Sequence, residues 1–233
     1  MYSNKQKGAT RSNTQATNEH IINRADMINM IAKKIDAKSY LEIGVQTGKT
    51  FRAVNIQNKV GVDPDPKWKD QTDVMGSDQY FDMLEDDDKF DVIFIDGLHH
   101  WQQVARDIAN SIDHLNEGGV ILVDDCAPKQ KAYQTRQPSV LHWTGDVWRA
   151  WLRYRLRMSE KGWFSCTYDV AFGLGILHKH NEPTEFNEDL KAIMSDSWQC
   201  DYEDFESKFD DVLDFRPVES FIDDWQGDEN AKS

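Results

Sequence analysis

Residues 41–50 have the sequence Leu41-Glu42-Ile43-Gly44-Val45-Gln46-Thr47-Gly48-Lys49-Thr50. The apolar start, the two glycines and the polar end predict a β-strand, a glycine turn and a helix in succession. Gly44 would let the backbone pass close to a ligand, and Gly48 would let the helix pack near the strand. Asp63 ends the next predicted strand, about twenty residues on. A carboxylate at that position can accept both hydroxyls of a ribose.

Glu42 distinguishes this turn from a pyrophosphate-binding loop. A carboxylate beside the turn would repel phosphates, and the spacing differs from the G-x-G-x-x-G of dinucleotide-binding folds. This disfavours a nicotinamide-dependent dehydrogenase. The turn suits a ligand with a positive centre and no phosphate, such as S-adenosylmethionine, which carries an ammonium and a sulfonium. A glycine turn and a strand-ending Asp are each ordinary features, so neither decides the matter alone.

Strand and helix patterns alternate along the first half of the chain. Apolar runs predict strands, and periods of three to four residues predict helices between them. This β-α-β alternation is typical of a parallel sheet with right-handed crossovers. A terminal hairpin is predicted after a longer polar connection. The predicted strands are 39–43, 59–62, 90–95, 120–123, 164–170 and 173–178, and the predicted helices are 21–35, 51–56, 79–85, 101–115 and 146–158.

Five segments in order carry a resemblance to a known family. They are YLEIGVQTGKTF, VGVDPDP, FDVIFIDGLHH, NEGGVILVDDC and DVAFGLGIL. Over about two thirds of its length the chain resembles the class I S-adenosylmethionine-dependent methyltransferases. More narrowly, it is similar to small bacterial and viral methyltransferases related to the macrocin-type sugar O-methyltransferases.

The resemblance implies an α/β fold with a Rossmann-like, doubly wound sheet flanked by helices. That sheet would have about seven strands, mostly parallel, with an antiparallel last strand. The resemblance also implies cofactor contacts. Glu42, Gly44 and Gly48 would line the methionine end of the cofactor. Asp63 would bind the ribose, and Ser77 and Asp78 would lie near the adenine.

Three carboxylates follow two neighbouring predicted strands: Asp96 after one, Asp124 and Asp125 after the other. Carboxyl ends of parallel strands meet at one sheet edge, where open α/β sheets bind ligands. A divalent cation, Mg²⁺ or another, would relieve their mutual repulsion through oxygen ligands. The spacing resembles that of metal-dependent O-methyltransferases of the catechol and sugar types. The alternative is that Asp125 caps a turn, Asp124 pairs with an Arg, and Asp96 helps to hold the cofactor.

His99 and His100 follow Asp96 in the sequence DGLHH. A histidine can take a hydroxyl proton at neutral pH, and methyl transfer to oxygen needs such a base or a metal. His99 is the first candidate base because it would begin the next helix and face the crevice; Asp96 is the second predicted catalytic residue. Alternatively, a histidine here caps the helix or contacts the cofactor.

Composition limits the class of protein. The chain has 233 residues, 39% of them hydrophobic, and three scattered cysteines that form neither a disulfide framework nor a zinc pattern. No apolar run reaches the ~20 residues of a membrane span, and residues 1–20 lack the apolar core of a secretory signal. We therefore expect a cytoplasmic protein without a membrane partner.

Charge is distributed unevenly. The net charge is -14, and residues 181–233 carry 17 acidic and 4 basic side chains. Overall acidity disfavours a nucleic-acid partner, because such binding needs phosphate neutralisation. The predicted organisation is a disordered segment (1–19), a methyltransferase domain (20–180) with a substrate-side insert (129–161), and an acidic helical extension (181–233).

The insert carries a basic helix and three tryptophans. Arg149, Arg153 and Arg157 share one helix face, which implies a negative or polar group opposite. The acidic extension, of this or a neighbouring subunit, is one candidate; an anionic substrate is the other. Tryptophans at helical spacing are usually core, although their rings can stack on sugars. The tryptophans in question are Trp143, Trp148 and Trp151.

Taken together, the sequence predicts an S-adenosylmethionine-dependent O-methyltransferase acting on a small hydroxylated acceptor, sugar-like or anionic. The alternatives are metal-independent N- or C-methylation, and a non-catalytic nucleoside-binding module whose acidic tail binds a partner. The sequence leaves open whether the protein is a homo-oligomer.

Overall fold

The computed structural model describes residues 22–138, 140–180 and 184–226. The predicted disordered segment 1–19 and the last seven residues lie outside these ranges. No helix among the described residues is long and apolar enough to cross a membrane.

Eight strands, nine α-helices and one 3-10 helix, Lys131–Gln134, are present in the described ranges. The strands are β1 Ser39–Ile43, β2 Asn58–Val62, β3 Thr72–Asp73, β4 Phe90–Ile95, β5 Leu115–Val123, β6 Trp163–Tyr168, β7 Leu174–Lys179 and β8 Phe215–Arg216. The helices are α1 Arg24–Lys34, α2 Lys49–Ala53, α3 Ser77–Phe81, α4 Trp101–Asp113, α5 Val147–Ser159, α6 Glu188–Ser195, α7 Tyr202–Ser207, α8 Phe209–Leu213 and α9 Val218–Gln226.

The strands form one sheet in the order β3-β2-β1-β4-β5-β7-β6-β8. Strand β7 runs antiparallel to both of its neighbours, and the other pairings in the sheet are parallel. The prediction of a mostly parallel α/β sheet with an antiparallel strand near the end of the chain is confirmed. The two extra members, β3 and β8, are two-residue strands at the sheet edges.

Each central strand contributes side chains to two hydrophobic cores, because successive side chains point to opposite faces of the sheet. On one face, Leu41 and Ile43 pack with Ile93 and Ile95 beneath α4 and α5. On the other face, residues from the same strands pack against α1, α2 and α9. Helices therefore cover both faces, and the loops at the carboxyl ends of β1, β2, β4 and β5 stay free to build a site.

The start of β5 differs from the prediction. The sequence predicts a helix over 101–115 and a strand over 120–123, but α4 ends at Asp113 and β5 begins at Leu115, so Glu117-Gly118-Gly119 lie inside the strand. Gly118 has φ +78°, and a Cβ on Gly119 would lie 2.9 Å from the Asp91 carbonyl oxygen. The glycines thus permit an irregular strand to pass close to β4, where the pairing register shifts.

The acidic helices pack on α5 through polar backbone groups. Arg149 donates to the carbonyl oxygens of Ser197 and Cys200, at 2.7 and 2.8 Å. Arg155, which is buried, donates to the carbonyl oxygens of Ser165 and Val212. The hydrogen-bond partners of these two arginines are thus carbonyl oxygens and the Ser165 hydroxyl rather than acidic side chains.

Candidate functional site

A cavity of about 960 Å³ lies at the carboxyl ends of β1, β2, β4 and β5. Its floor is the turn after β1, where Gly44 has φ +93° and a Cβ would lie 2.0 Å from the Asp96 carbonyl oxygen. Only glycine fits such a close approach in that conformation. Gly48 has φ +70° and lies under the Trp68 side chain; its neighbours Thr47 and Lys49 line the cavity, whereas Gly48 itself does not.

Glu42 lines the cavity from the end of β1 and is 1% exposed. Tyr40 donates its hydroxyl proton to the Glu42 Oε2 at 2.6 Å. Burial, and more weakly the nearby Asp96 carboxylate, raise the pKa of Glu42 to about 8, against the lowering effects of Tyr40 and Arg24. The cavity wall therefore holds a carboxyl group that a cationic ligand would ionise.

Asp63 lies at the end of β2, as predicted, and borders the cavity. Its two carboxylate oxygens accept the backbone N–H groups of Gln46 and Asp65, each at 2.8 Å. These contacts connect the turn after β1 to the loop after β2. They hold the Asp63 carboxylate at the cavity edge, where its remaining lone pairs can accept ribose hydroxyls.

Ser77 and Asp78 begin α3 and also line the cavity. Gln103, on α4, donates its Nε2 to the Ser77 Oγ at 3.0 Å and to the Asp78 Oδ1 at 2.9 Å. Ser77 in turn donates to the Oδ1 of Asp107, at 2.6 Å. Sequence reasoning missed Gln103 and Asp107, because their pairing with α3 joins positions about thirty residues apart.

Asp96, His99 and Asp125 come together at the end of β4 and β5. The Nε2 of His99 lies 3.4 Å from the Asp96 Oδ1, and its Nδ1 lies 3.2 Å from the Asp125 Oδ2. Burial opposes protonation of His99, but Asp96 and Asp125 outweigh it and raise its pKa above the ordinary value. One ligand atom from each of the three residues lies within 4.8 Å of the others, which is close enough to share one metal ion.

Asp124 lies apart from that cluster. Its carboxylate forms an ion pair with the guanidinium of Arg24, which also contacts the Asp96 Oδ2 at 3.0 Å. This is the arginine pairing that the sequence left open as an alternative to metal binding. Arg24 was not singled out because it lies on α1, 72 residues before Asp96.

The insert covers His99. The Trp143 ring stacks on the imidazole, with ring centroids 4.9 Å apart, whereas Trp148 and Trp151 are fully buried in the core. Gly145, with φ +61°, lies against the backbone of His99, and a Cβ on Gly145 would lie 1.9 Å from the His99 carbonyl oxygen. His100 turns away, its Nε2 lying 2.9 Å from the Arg136 carbonyl oxygen.

Comparisons with known proteins agree with this architecture. Residues 41–126 match the family described as "Methyltransferase domain". None of the curated proteins compared with the chain matches it in sequence.

Two solved structures are similar over much of their length. The O-methyltransferase TomG of Streptomyces achromogenes, involved in tomaymycin synthesis and solved with S-adenosylmethionine, is 13% identical, with a TM-score of 0.51 over 67% of this chain and 79% of TomG. The Podospora anserina methyltransferase PaMTH1, bound to S-adenosylhomocysteine, is 16% identical, with a TM-score of 0.50 over 67% of this chain and 77% of that protein.

At these identities the likeness is one of fold, and the narrower resemblance to macrocin-type enzymes stays a prediction. The family match covers the glycine turn, Asp63, the Asp96–His99 loop and the end of β5. Residues 41–126 therefore match a methyltransferase domain, and the chain has the α/β fold of these two solved methyltransferases.

Proposed function

We propose that this chain transfers the methyl group of S-adenosylmethionine to a hydroxyl oxygen of a small acceptor. The observation that carries the proposal is His99, whose imidazole lines the cavity between two carboxylates and beside Trp143. Its Nδ1 is buried and lies 3.2 Å from the Asp125 Oδ2, without a well-aligned hydrogen bond to any described residue. Most buried side-chain polar atoms have a hydrogen-bond partner, so a ring nitrogen without an aligned one at a cavity wall suits proton transfer with a ligand.

The cavity wall offers a polar partner for each part of the proposed cofactor. Glu42 would hold the ammonium, and Arg24, which also lines the cavity, would balance the charge of the methionine carboxylate. Asp63 would accept the ribose hydroxyls, and Ser77 and Asp78 would meet the adenine. The absence of phosphates in this ligand agrees with a wall that carries several carboxylates.

The reaction is a direct displacement at carbon. A lone pair of the acceptor oxygen forms the new bond to the methyl carbon, and the carbon–sulfur pair leaves with sulfur to give S-adenosylhomocysteine. The hydroxyl proton passes to His99, which Asp96 orients through Nε2. Most of the rate would come from holding oxygen, methyl and sulfur in line, and the base supplies alkoxide character.

A second candidate mechanism uses a divalent metal. The sequence predicts Asp96, Asp124 and Asp125 as the ligands; because Asp124 is paired with Arg24, the set that fits is Asp96, His99 and Asp125. Two carboxylates and one imidazole are typical ligands of Mn²⁺, Fe²⁺ or Zn²⁺. Such an ion, when bound, would lower the pKa of an acceptor hydroxyl. His99 would then be a ligand and could not serve as the base.

Calorimetric titration with S-adenosylhomocysteine, once with a divalent salt and once with EDTA, tests the cofactor site. We expect binding in both conditions, because the residues proposed for the cofactor do not depend on a metal. Absence of binding in both would overturn the proposal and favour a nucleoside-binding module for another ligand.

Transfer of labelled methyl groups to a panel of sugars and phenols then tests the chemistry. We expect His99→Gln to lower transfer about 100-fold or more, in the range for loss of a general base. The affinity for S-adenosylhomocysteine should change less than about threefold, since His99 does not hold the cofactor. His180→Gln, at an exposed site outside the cavity, is the matched control.

A metal requirement gives a different result from a metal-free base. If the Asp96–His99–Asp125 set binds an ion, EDTA abolishes transfer, and Asp125→Ala removes the response to added metal. If His99 acts as the base, transfer survives EDTA. The acceptor remains as the sequence predicts it, a sugar-like or anionic small molecule.

A further inference from the structure

Asp107 is a buried carboxylate that the proposed transfer does not use. It lies on α4 and is 0% exposed, and its side-chain hydrogen bonds with the described residues all go through Oδ1. Burial raises its pKa to about 6, partly offset by the hydrogen bonds from Ser77 and Gln103. At neutral pH it is therefore mainly ionised, and an ionised carboxylate can only accept hydrogen bonds.

This fixes the direction of the neighbouring hydrogen bonds. The 2.6 Å contact requires the Ser77 hydroxyl to point its proton at Asp107, away from the cavity. Gln103 shares its two Nε2 protons among the oxygens of Ser77, Asp78 and Asp107, and Arg106 donates its Nε proton to Asp78 at 3.1 Å. The protons of the group are thus directed at its own carboxylates.

The side chains of Ser77 and Asp78 therefore offer a ligand oxygen lone pairs, whereas the Gln103 Oε1 already accepts a proton from Arg106. Ser77, Asp78 and Gln103 all line the cavity, whereas Asp107 stands behind them. The exocyclic amino group of adenine is a donor and can pair with these oxygens. An oxo group at the same ring position is an acceptor. It would face these oxygens with no proton to share, so the acceptors on both sides would stay unpaired.

We propose that Asp107 is a positioning residue that sets base specificity: by taking the Ser77 proton, it makes the wall at α3 select an amino-purine over an oxo-purine. The inference rests on the proposed function, because the amino-purine is the adenine of the cofactor. Asp107 acts through Ser77 and does not touch the ligand.

The test is calorimetric titration with two ligands, S-adenosylhomocysteine and S-inosylhomocysteine, which differ at the amino group. We expect the protein to prefer the first by about tenfold or more, the ratio that 1.4 kcal/mol produces. In Asp107→Asn the new amide can donate to Ser77, which frees the hydroxyl proton to face the cavity. The preference should then fall to about threefold or less. Asp113→Asn, an exposed site on the same helix with the same charge change, should keep the original preference.

The outcomes separate this inference from the proposed function. Failure of the unaltered protein to bind S-adenosylhomocysteine overturns both. Binding with an unchanged preference in Asp107→Asn overturns the inference alone, even if both affinities fall equally, because an equal loss indicates a structural role. If circular dichroism shows that Asp107→Asn does not fold, Ser77→Ala decides: loss of the preference supports the inference, and retention overturns it.

Discussion

At the scale of single residues, Glu42 links ligand binding to proton release. Its pKa of about 8 means that the carboxyl group is mainly protonated at pH 7 in the free protein. An ammonium group bound beside it favours the ionised form and lowers that pKa. We therefore expect S-adenosylhomocysteine to release up to about one proton on binding at pH 7, and progressively fewer as the pH rises past 8.

Calorimetry in two buffers of different ionisation enthalpy measures this release. The observed heat should differ between the buffers for the unaltered protein and should not differ for Glu42→Gln, which has no proton to lose. Equal heats in both buffers for the unaltered protein would show that Glu42 is not the group that meets the ammonium.

Asp91 stabilises the fold at the opposite end of the sheet. Its carboxylate accepts the backbone N–H groups of Lys38 and Ser39, at 2.6 and 3.0 Å, and the Asn116 amide at 2.7 Å. Burial alone would raise its pKa, but these hydrogen bonds outweigh burial and lower it. A lowered carboxylate pKa adds stability above the unfolded value of about 3.9, and that stability is lost as the pH falls.

We expect Asp91→Ala to lower the free energy of unfolding at pH 7 by about 1–3 kcal/mol, because it leaves donors unpaired. The difference from the unaltered protein should shrink below pH 4. Urea unfolding at pH 7 and pH 3.5 measures both values. Asp87→Ala, at an exposed position, is the control, and an equal loss there would contradict the assignment.

The position of a site residue could be predicted from the sequence where the residues next to it in the chain form a clear strand pattern. Glu42 and Asp63 border the cavity as expected, because Glu42 is the next-to-last residue of β1 and Asp63 directly follows β2. Arg24 and Asp107 were missed, because their contacts join distant segments and nothing local distinguishes them from surface charges. The same limit applies to Asp124, whose ion pair with Arg24 the sequence offered only as an alternative to metal binding.

At the scale of elements, helix α4 takes its cap from another segment. His100 is the N-cap residue and offers no side-chain hydrogen bond, whereas the Asp146 Oδ1 accepts the Trp101 backbone N–H at 2.8 Å. The Asp146 backbone N–H also donates to the His99 carbonyl oxygen at 3.2 Å, and Arg136 binds the Oδ2 at 3.1 Å. Asp146 thus connects the insert to the loop that carries His99.

We expect Asp146→Ala to cost about 1–2 kcal/mol of stability, the usual effect of removing a helix cap. It should also lower methyl transfer at least about tenfold while leaving S-adenosylhomocysteine affinity within about threefold, because His99 moves and the cofactor wall does not. Asn187→Ala removes the cap of α6, whose side chain accepts the Leu190 N–H at 2.9 Å, and is the matched control. Equal effects of both variants on transfer would show that Asp146 acts only on stability.

Strands and helices with a clear hydrophobic pattern could be predicted from the sequence, whereas those too short to show a pattern could not. Strands β1 and β4 have the predicted bounds, because both faces of these strands are buried and the apolar run is continuous. Strands β3 and β8 span two residues each, too few to show any alternation. In the Gly118–Gly119 region, pairing with β4 outweighs the local preference of glycine for a helix end.

At the scale of the whole molecule, the acidic extension is part of the packed body. The Phe205 ring stacks on Trp148 of α5 with centroids 4.3 Å apart, and Phe221 packs edge-on against Tyr168 of β6 at 5.2 Å. Both phenylalanines are 0% exposed, and β8 adds to the sheet beside β6. The extension therefore contacts both faces of the sheet, an arrangement that a detachable partner-binding tail does not need.

A chain that ends at His180 tests this arrangement, because it lacks β8 and α6–α9. Loss of one buried phenylalanine costs about 3–5 kcal/mol, and domains are stable by only about 5–15 kcal/mol. We therefore expect the shortened chain to lose cooperative thermal unfolding and S-adenosylhomocysteine binding together. A chain that ends at Gln226 keeps every described element and should unfold at the temperature of the full chain. If the chain ending at His180 unfolded cooperatively and bound the ligand, the extension would not be needed for the fold. That result would favour the alternative in which the extension binds a partner.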